Sequence, residues 1–210
     1  MKSLYGVYGA SGCGRGVMPL LRAERGKGES RLVFIDDAPQ ADAANGHAIW
    51  TFARFMDEPA ATRAVVLAIA NPRVRETLDQ RCAEAEVALI GTTAANVVMM
   101  DDVEVGPGAV LSPFVTLTSN IRIGRCFHAN LYSYIEHDCL IGDYVTFAPG
   151  VRCNGNVTIG DHAYVGSGAI IRQGVSVGAG ATIGMGAVVT KDVPAGATVI
   201  GNPARIMEKK

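Results

Sequence analysis

From Val105 to Val189 an apolar residue recurs at every sixth position without an insertion: Val105, Leu111, Leu117, Ile123, Ala129, Ile135, Ile141, Phe147, Cys153, Ile159, Val165, Ile171, Val177, Ile183 and Val189. The residue two before each is apolar as well, with Ser133 the one exception. Glycine directly follows seven of the fifteen: Gly106, Gly124, Gly142, Gly160, Gly166, Gly178 and Gly184. Two inward side chains separated by one outward side chain make a short strand. The small residue after them is expected to let the chain turn a corner. Six residues per side suit neither a helix of period 3.6 nor a flat sheet. A fixed repeat of this kind predicts stacked units that share one core, here a coil of parallel strands.

The chain before these repeats obeys other rules. Residues 1–96 hold 22 charged side chains and the longer stretch 97–210 only 17. In the first part Tyr5–Tyr8 predicts a strand, followed by the glycine turn Gly9-Ala10-Ser11-Gly12-Cys13-Gly14. A helix through Val17, Leu20 and Leu21 follows, stopped by Gly26. Arg31–Ile35, Ala64–Ala70 and Val87–Ile90 read as further strands, and Pro72–Ala85 as a helix with proline near its first turn. Strand–helix–strand alternation predicts a small parallel, Rossmann-like α/β sheet. The expected organisation is an α/β domain over 1–96, an all-β coil over 97–200 and a tail over 201–210.

Composition excludes several functions. With 19 Lys+Arg against 20 Asp+Glu, a net charge of −1 offers no field for a nucleic acid. The longest unbroken apolar run, Ala64–Ala70, is far short of a membrane span. Met1–Gly6 has no apolar signal core, so the expected location is the cytoplasm. Five cysteines (13, 82, 126, 139 and 153), odd in number and without a Cys-x-x-Cys, predict neither a disulfide framework nor a zinc knuckle. His47 falls in the polar stretch Asn45-Gly46-His47, expected to be a loop without a role. Side chains stack on one face of such a coil when they differ by multiples of 18. His128, His137 and His162 do not, so no metal site within one chain is expected.

The hexads, written [Ile/Val]-Gly-x-x-x-x, resemble the left-handed parallel β-helix of the hexapeptide-repeat acyltransferases. The tail Gly201-Asn202-Pro203-Ala204-Arg205 is similar to the segment closing that helix. Four further motifs narrow the resemblance: Tyr8-Gly9-Ala10-Ser11-Gly12, Phe34-Ile35-Asp36-Asp37, Ala68-Ile69-Ala70-Asn71 and Ile135-Glu136-His137-Asp138. Together they resemble the bacterial sugar O-acyltransferases and nucleotide-linked amino-sugar N-acetyltransferases, over essentially the whole chain. The resemblance implies three hexads per coil, a homotrimer and acetyl-CoA as co-substrate without a metal. The implied reaction is N-acetylation of a nucleotide-linked 4-amino-4,6-dideoxy sugar for surface glycan. The alternatives are O-acetylation of a sugar such as sialic acid, and a non-catalytic sugar-nucleotide-binding protein.

Chemistry can be attached to particular residues. Free amides in a glycine turn between strand and helix can cradle a pyrophosphate, although the spacing Gly9-x-x-Gly12-x-Gly14 is not the dinucleotide fingerprint. A tight turn needing glycine is the alternative reading. Asp36 and Asp37 end a strand where an acid can accept from ribose hydroxyls or a base N–H; a solvated turn is the other reading. The resemblance places Ser11, Gly12, Cys13, Asp36, Asp37, Asn71 and Asn130 against the sugar nucleotide. It makes His137 the general base, Asp138 the carboxylate on its far ring nitrogen and Gly155 an amide facing the oxyanion. It puts Thr146, Gly155, Ser167, Met185, Pro203 and Arg205 along acetyl-CoA. Thr146 stands where many relatives carry a second histidine. It can hydrogen-bond but takes no proton at neutral pH.

Overall fold

The computed structural model describes residues 2–26, 28 and 30–207; Met1 and residues 208–210 of the expected tail lie outside the described residues. The chain forms two compact units. One runs up to Ala70 with Val74–Thr92, and the other takes Asn71–Arg73 with the chain from Thr93 onward. The division falls a few residues before the expected one at 96/97.

The first unit is a six-stranded sheet. Its elements are β1 (Ser3–Tyr8), α1 (Gly12–Arg25), β2 (Ser30–Ile35), β3 (Ala43–Ala44), β4 (His47–Trp50), α2 (Phe52–Asp57), β5 (Thr62–Leu67), α3 (Pro72–Glu84) and β6 (Ala88–Leu89). The order is β3-β4-β2-β1-β5-β6, parallel throughout except for the β3–β4 hairpin. The three expected runs in β1, β2 and β5 are its buried centre: Val7, Val33, Phe34, Ile35 and Val65–Leu67 are at most 1% exposed. The β3–β4 hairpin and α2 were not anticipated, although the sequence carried their signals. Asn45 and Gly46 both take positive φ, 47° and 79°, as a two-residue hairpin turn requires. Thr51 caps α2 by accepting from the Arg54 amide at 3.2 Å. His47 is therefore a strand residue rather than a loop residue, its Nδ1 3.3 Å from the Leu32 carbonyl.

The second unit is a left-handed parallel β-helix whose short strands line three sheets. Register fixes the coil at 18 residues: Val110, His128, Thr146, Tyr164 and Thr182 are successive partners on one face. The last step, Thr182 to Thr198, is shortened to 16. The sixth-residue series fills the interior, and from Leu117 to Val189 all but Ile123 and Ile141 are at most 2% exposed. Removing a side chain such as Ile159 to Ala would cost about 2–5 kcal/mol. The exception in the pattern is satisfied internally. Ser133 is buried, donates to the Ala148 carbonyl at 3.1 Å and accepts the Val151 amide at 3.2 Å.

The corners differ from expectation. Every sixth residue from Asp102 to Gly186 has φ between 52° and 75°, so the chain turns at this left-handed position, three residues after the inward one. Nine of the fifteen are not glycine, and Asp102, Asn120, Asp138 and Asn156 supply the side chains that tolerate it best. The glycine directly after an inward residue serves a different need, the close approach of the next coil. A Cβ on Gly106 would lie 2.6 Å from the Gly124 carbonyl carbon, and one on Gly166 2.6 Å from the Met185 nitrogen. At the far end Thr198–Ile200 turns back through Gly201–Ala204 and pairs antiparallel with Arg205–Ile206. Among the described residues no helix is long and apolar enough to cross a membrane.

Candidate functional site

In the first unit the expected ligand residues Ser11, Gly12, Cys13, Asp36 and Asp37 gather at the carboxyl ends of β1 and β2. The strand order reverses at β1, the place where open parallel sheets hold ligands. The glycines of the turn separate by cause. Gly9 has φ +114° and its Cβ would meet the Ala68 carbonyl oxygen at 2.8 Å, and a Cβ on Gly14 would collide with the Gly9 carbonyl. Both are demanded by packing. A Cβ on Gly12 would meet nothing within 4 Å, so the fold does not require glycine at the start of α1. Ser11 precedes it, exposed and making no side-chain capping bond. Cys13 is half-buried, and burial pushes its thiol up against the opposing Arg75 charge.

The two aspartates have different tasks. Asp37 accepts the Phe52 amide on Oδ1 at 2.9 Å and, on Oδ2, both the Tyr8 hydroxyl at 2.5 Å and the Arg81 guanidinium. Arg81 in turn lies over the Phe52 ring, 4.4 Å from its centroid. Burial alone would raise the Asp37 carboxyl, but bonds from Tyr8, the Phe52 amide and Arg81 outweigh it and hold it below the usual range. Among the described residues Asp36 accepts only the Ala38 amide, at 3.0 Å on Oδ1. Asn71, after β5, falls with the second unit and accepts the Arg73 amide at 3.0 Å at the start of α3.

In the β-helix, His137 and Asp138 occupy the corner after the strand Tyr134–Ile135. His137 Nδ1 lies 2.7 Å from Asp138 Oδ2, and Asn120 Nδ2 donates to Asp138 Oδ1 at 3.0 Å. Asn120 is one coil earlier, 18 residues away, and was missed by the sequence reading although that arithmetic would have found it. A carboxylate on Nδ1 fixes that nitrogen as the donor and leaves Nε2 with a lone pair. The bond to Asp138 raises the imidazole above its ordinary value; slight desolvation opposes it, and the Asp138 and Glu136 charges add to it. Asp138 is held low by the same bond and by Asn120. One coil later Gly155 lies against the ring: a Cβ there would be 2.6 Å from both Cε1 and Nε2. The Asn156 amide donates to the His137 carbonyl at 2.8 Å, tying the two coils together.

The remaining expected residues are dispersed. Asn130 lies on the corner before Tyr134–Ile135, at the other end of the face from His137, with its Oδ1 on the Leu131 amide at 2.8 Å. Thr146 is buried on a third face, between His128 and Tyr164. Ser167 and Met185 stand one above the other on successive coils, Met185 82% exposed and the Gly186 amide on the Ser167 carbonyl at 2.8 Å. Pro203 and Arg205 are exposed in the closing hairpin. All five cysteines are free thiols, and no cluster of three or more His, Cys, Asp or Glu suited to a metal occurs among the described residues.

Comparison with known proteins extends these observations. Residues 156–191 match the family model described as the hexapeptide repeat of succinyl-transferase. The chain is 47% identical over 161 residues to GDP-perosamine N-acetyltransferase of Escherichia coli O157:H7, covering 75% of this chain and 72% of that protein. The solved structure of WeeI from Acinetobacter baumannii AYE is 50% identical, with a TM-score of 0.95 over 98% of this chain and all of that one. The acetyltransferase domain of PglB from Neisseria gonorrhoeae FA1090, solved with acetyl coenzyme A, is 29% identical. It matches with a TM-score of 0.88 over 99% of this chain and all of that one.

Proposed function

Because the chain belongs to the hexapeptide-repeat acyltransferases, in the subgroup of nucleotide-linked amino-sugar N-acetyltransferases, we propose that it transfers the acetyl group of acetyl-CoA to the 4-amino group of a nucleotide-linked 4-amino-4,6-dideoxy sugar. The observation that carries this reading is the Asn120–Asp138–His137 chain, which leaves Nε2 as an acceptor at an exposed corner. The neutral amine attacks the thioester carbonyl carbon and forms the C–N bond while Nε2 takes the amine proton. The Gly155 amide meets the developing oxyanion. Collapse breaks the C–S bond, and the imidazolium proton goes to the departing thiolate, releasing CoA and the amide.

The sugar nucleotide rests on the first unit. Its diphosphate meets the turn amides at Ser11–Cys13, where Gly12 keeps the approach open, and its nucleoside donates to Asp36. Asp37 shapes the pocket through Tyr8, Arg81 and α2 rather than by direct contact. Asn130, Ser167, Met185, Pro203 and Arg205 serve a second subunit's reaction in a homotrimer. Supporting this, Asn130 and His137 stand on different corners of the coil, before and after Tyr134–Ile135. The product enters surface glycan, and the co-substrate acetyl-CoA supports a cytoplasmic location. The test is release of CoA thiol from acetyl-CoA against a panel of GDP-, UDP- and dTDP-linked amino sugars, with hydroxyl sugars alongside. Turnover with an amino sugar is expected; turnover with hydroxyl sugars alone, or with none, overturns the reading. Light scattering at the mass of a single 22.0 kDa chain from a fully active sample overturns the trimer.

A further inference from the structure

The interior position just inside the His137 corner is filled, coil by coil, by Val103, Ile121, Cys139, Val157 and Val175. Aliphatic packing is all the fold asks there, yet the one coil that carries His137 has a thiol. That thiol is fully buried and makes three contacts with backbone polar groups. Sγ is 3.3 Å from the Asn154 carbonyl oxygen and 3.6 Å from the His137 carbonyl oxygen, and it accepts the Val157 amide at 3.4 Å. The first two carbonyls flank the contact between the imidazole and Gly155 on successive coils.

We propose that Cys139 is a positioning residue for His137, its one S–H shared between the carbonyls on either side of the ring so that the imidazole stays over Gly155 and against Asp138. The proposal rests on the reading of His137 as the base. A valine has neither donor nor acceptor, so it loses this tie, leaves the buried Val157 amide without its Sγ acceptor and adds a second γ-methyl. The imidazole then spends less time in its bond to Asp138, the largest cause of its raised pKa, ahead of the Asp138, Glu136 and Cys139 charges. The thiol itself is held low by a hydrogen bond from Cys153, against burial, with the Val157 amide assisting. It is therefore an acceptor from one side and a donor to the other.

The test compares Cys139→Val, Cys139→Ser and His137→Asn in the full chain, with acetyl-CoA and a GDP-linked 4-amino sugar. Cys139→Val is expected to fold, because valine already fills this position on the next coil, with a lower melting temperature from the Val157 amide left unpaired. Its kcat should fall about fivefold, the scale of one weak S–H···O bond, with both KM values unchanged. Its acidic limb in kcat/KM should move to lower pH, and Cys139→Ser should recover most of both effects. Wild-type kcat with an unmoved limb in Cys139→Val overturns the proposal. So does a fall in kcat without a moved limb or recovery by serine, which is a packing loss alone. If His137→Asn is inactive while Cys139→Val is normal, only the positioning role fails; if His137→Asn remains active, the base assignment fails with it.

Discussion

The two candidate regions treat neighbouring acidic groups in opposite ways. In the β-helix, Asp138 has one oxygen on His137, its neighbour in the chain, and the other on Asn120, which the 18-residue register places one coil earlier. In the α/β unit, Asp36 and Asp37 are adjacent at a strand end and look interchangeable, yet among the described residues Asp37 accepts from three donors while Asp36 accepts from one. A repeat makes side-chain partners a matter of arithmetic. An open sheet decides them by which helix packs where, here α2 bringing the Phe52 amide to Asp37.

The sharpest way to break the β-helix half of this comparison is His137→Asn, which keeps a polar group of similar reach but no basic nitrogen. A fall in kcat of about 10²–10⁴ is expected, with both substrates still binding by calorimetry. Gly155→Ala comes next. Its Cβ would sit 2.6 Å from two ring atoms, so the imidazole must swing away. Relative to those effects a loss of about 10–10² in kcat is expected, with the melting temperature little changed. A Gly155→Ala enzyme at wild-type rate would show that the ring position over Gly155 is irrelevant to turnover.

The α/β half is sharpened by separating the aspartates. Asp36→Ala should raise KM for the sugar nucleotide by about 10-fold or more, the loss of a charge-assisted hydrogen bond of about 1.5–3 kcal/mol, and leave KM for acetyl-CoA unchanged. Asp37→Ala should instead lower the melting temperature, because Tyr8, Arg81 and the α2 terminus lose a shared acceptor. If the two variants behave alike, the division of labour is wrong.

The difference between the halves also explains what the sequence could disclose. The interior of the β-helix was legible from Val105 to Val189 because each inward position repeats the same environment. Its corners were misread: glycine after the inward residue suggested the turn, whereas the left-handed residue lies two further on and is often Asp, Asn or an aromatic. Composition points to glycine for two unlike reasons, φ and close approach, and only coordinates separate them. Of the corner site, His137 and Asp138 were legible through their motif. Asn120 lay within reach of the 18-residue arithmetic but carries no motif of its own, and Cys139 was not legible because its partners are backbone groups of its own and the next coil. In the α/β unit the buried runs were legible, while β3, β4 and α2 are too short for periodicity to reveal. Without α2 the task of Asp37 has no local signal.

The smallest expected effect tests the fine tuning of the base. Asp138→Asn keeps an oxygen that accepts the Nδ1 proton, so the tautomer and the free lone pair on Nε2 persist, but the charge is gone. A loss of about tenfold in kcat is expected at neutral pH. The pH profile is the more telling measurement. In the wild type the Asp138 hydrogen bond and charge favour imidazolium, so the acidic limb of kcat/KM lies above the ordinary histidine value of 6.5. Removing the charge lowers the histidine pKa, and the limb moves to lower pH. The amine of the sugar also titrates, since only its neutral form attacks, and it can impose a limb of its own. That limb belongs to the substrate and would stand at the same pH in both proteins. An unmoved limb in Asp138→Asn therefore assigns the profile to the amine and removes Asp138 as the tuner of His137.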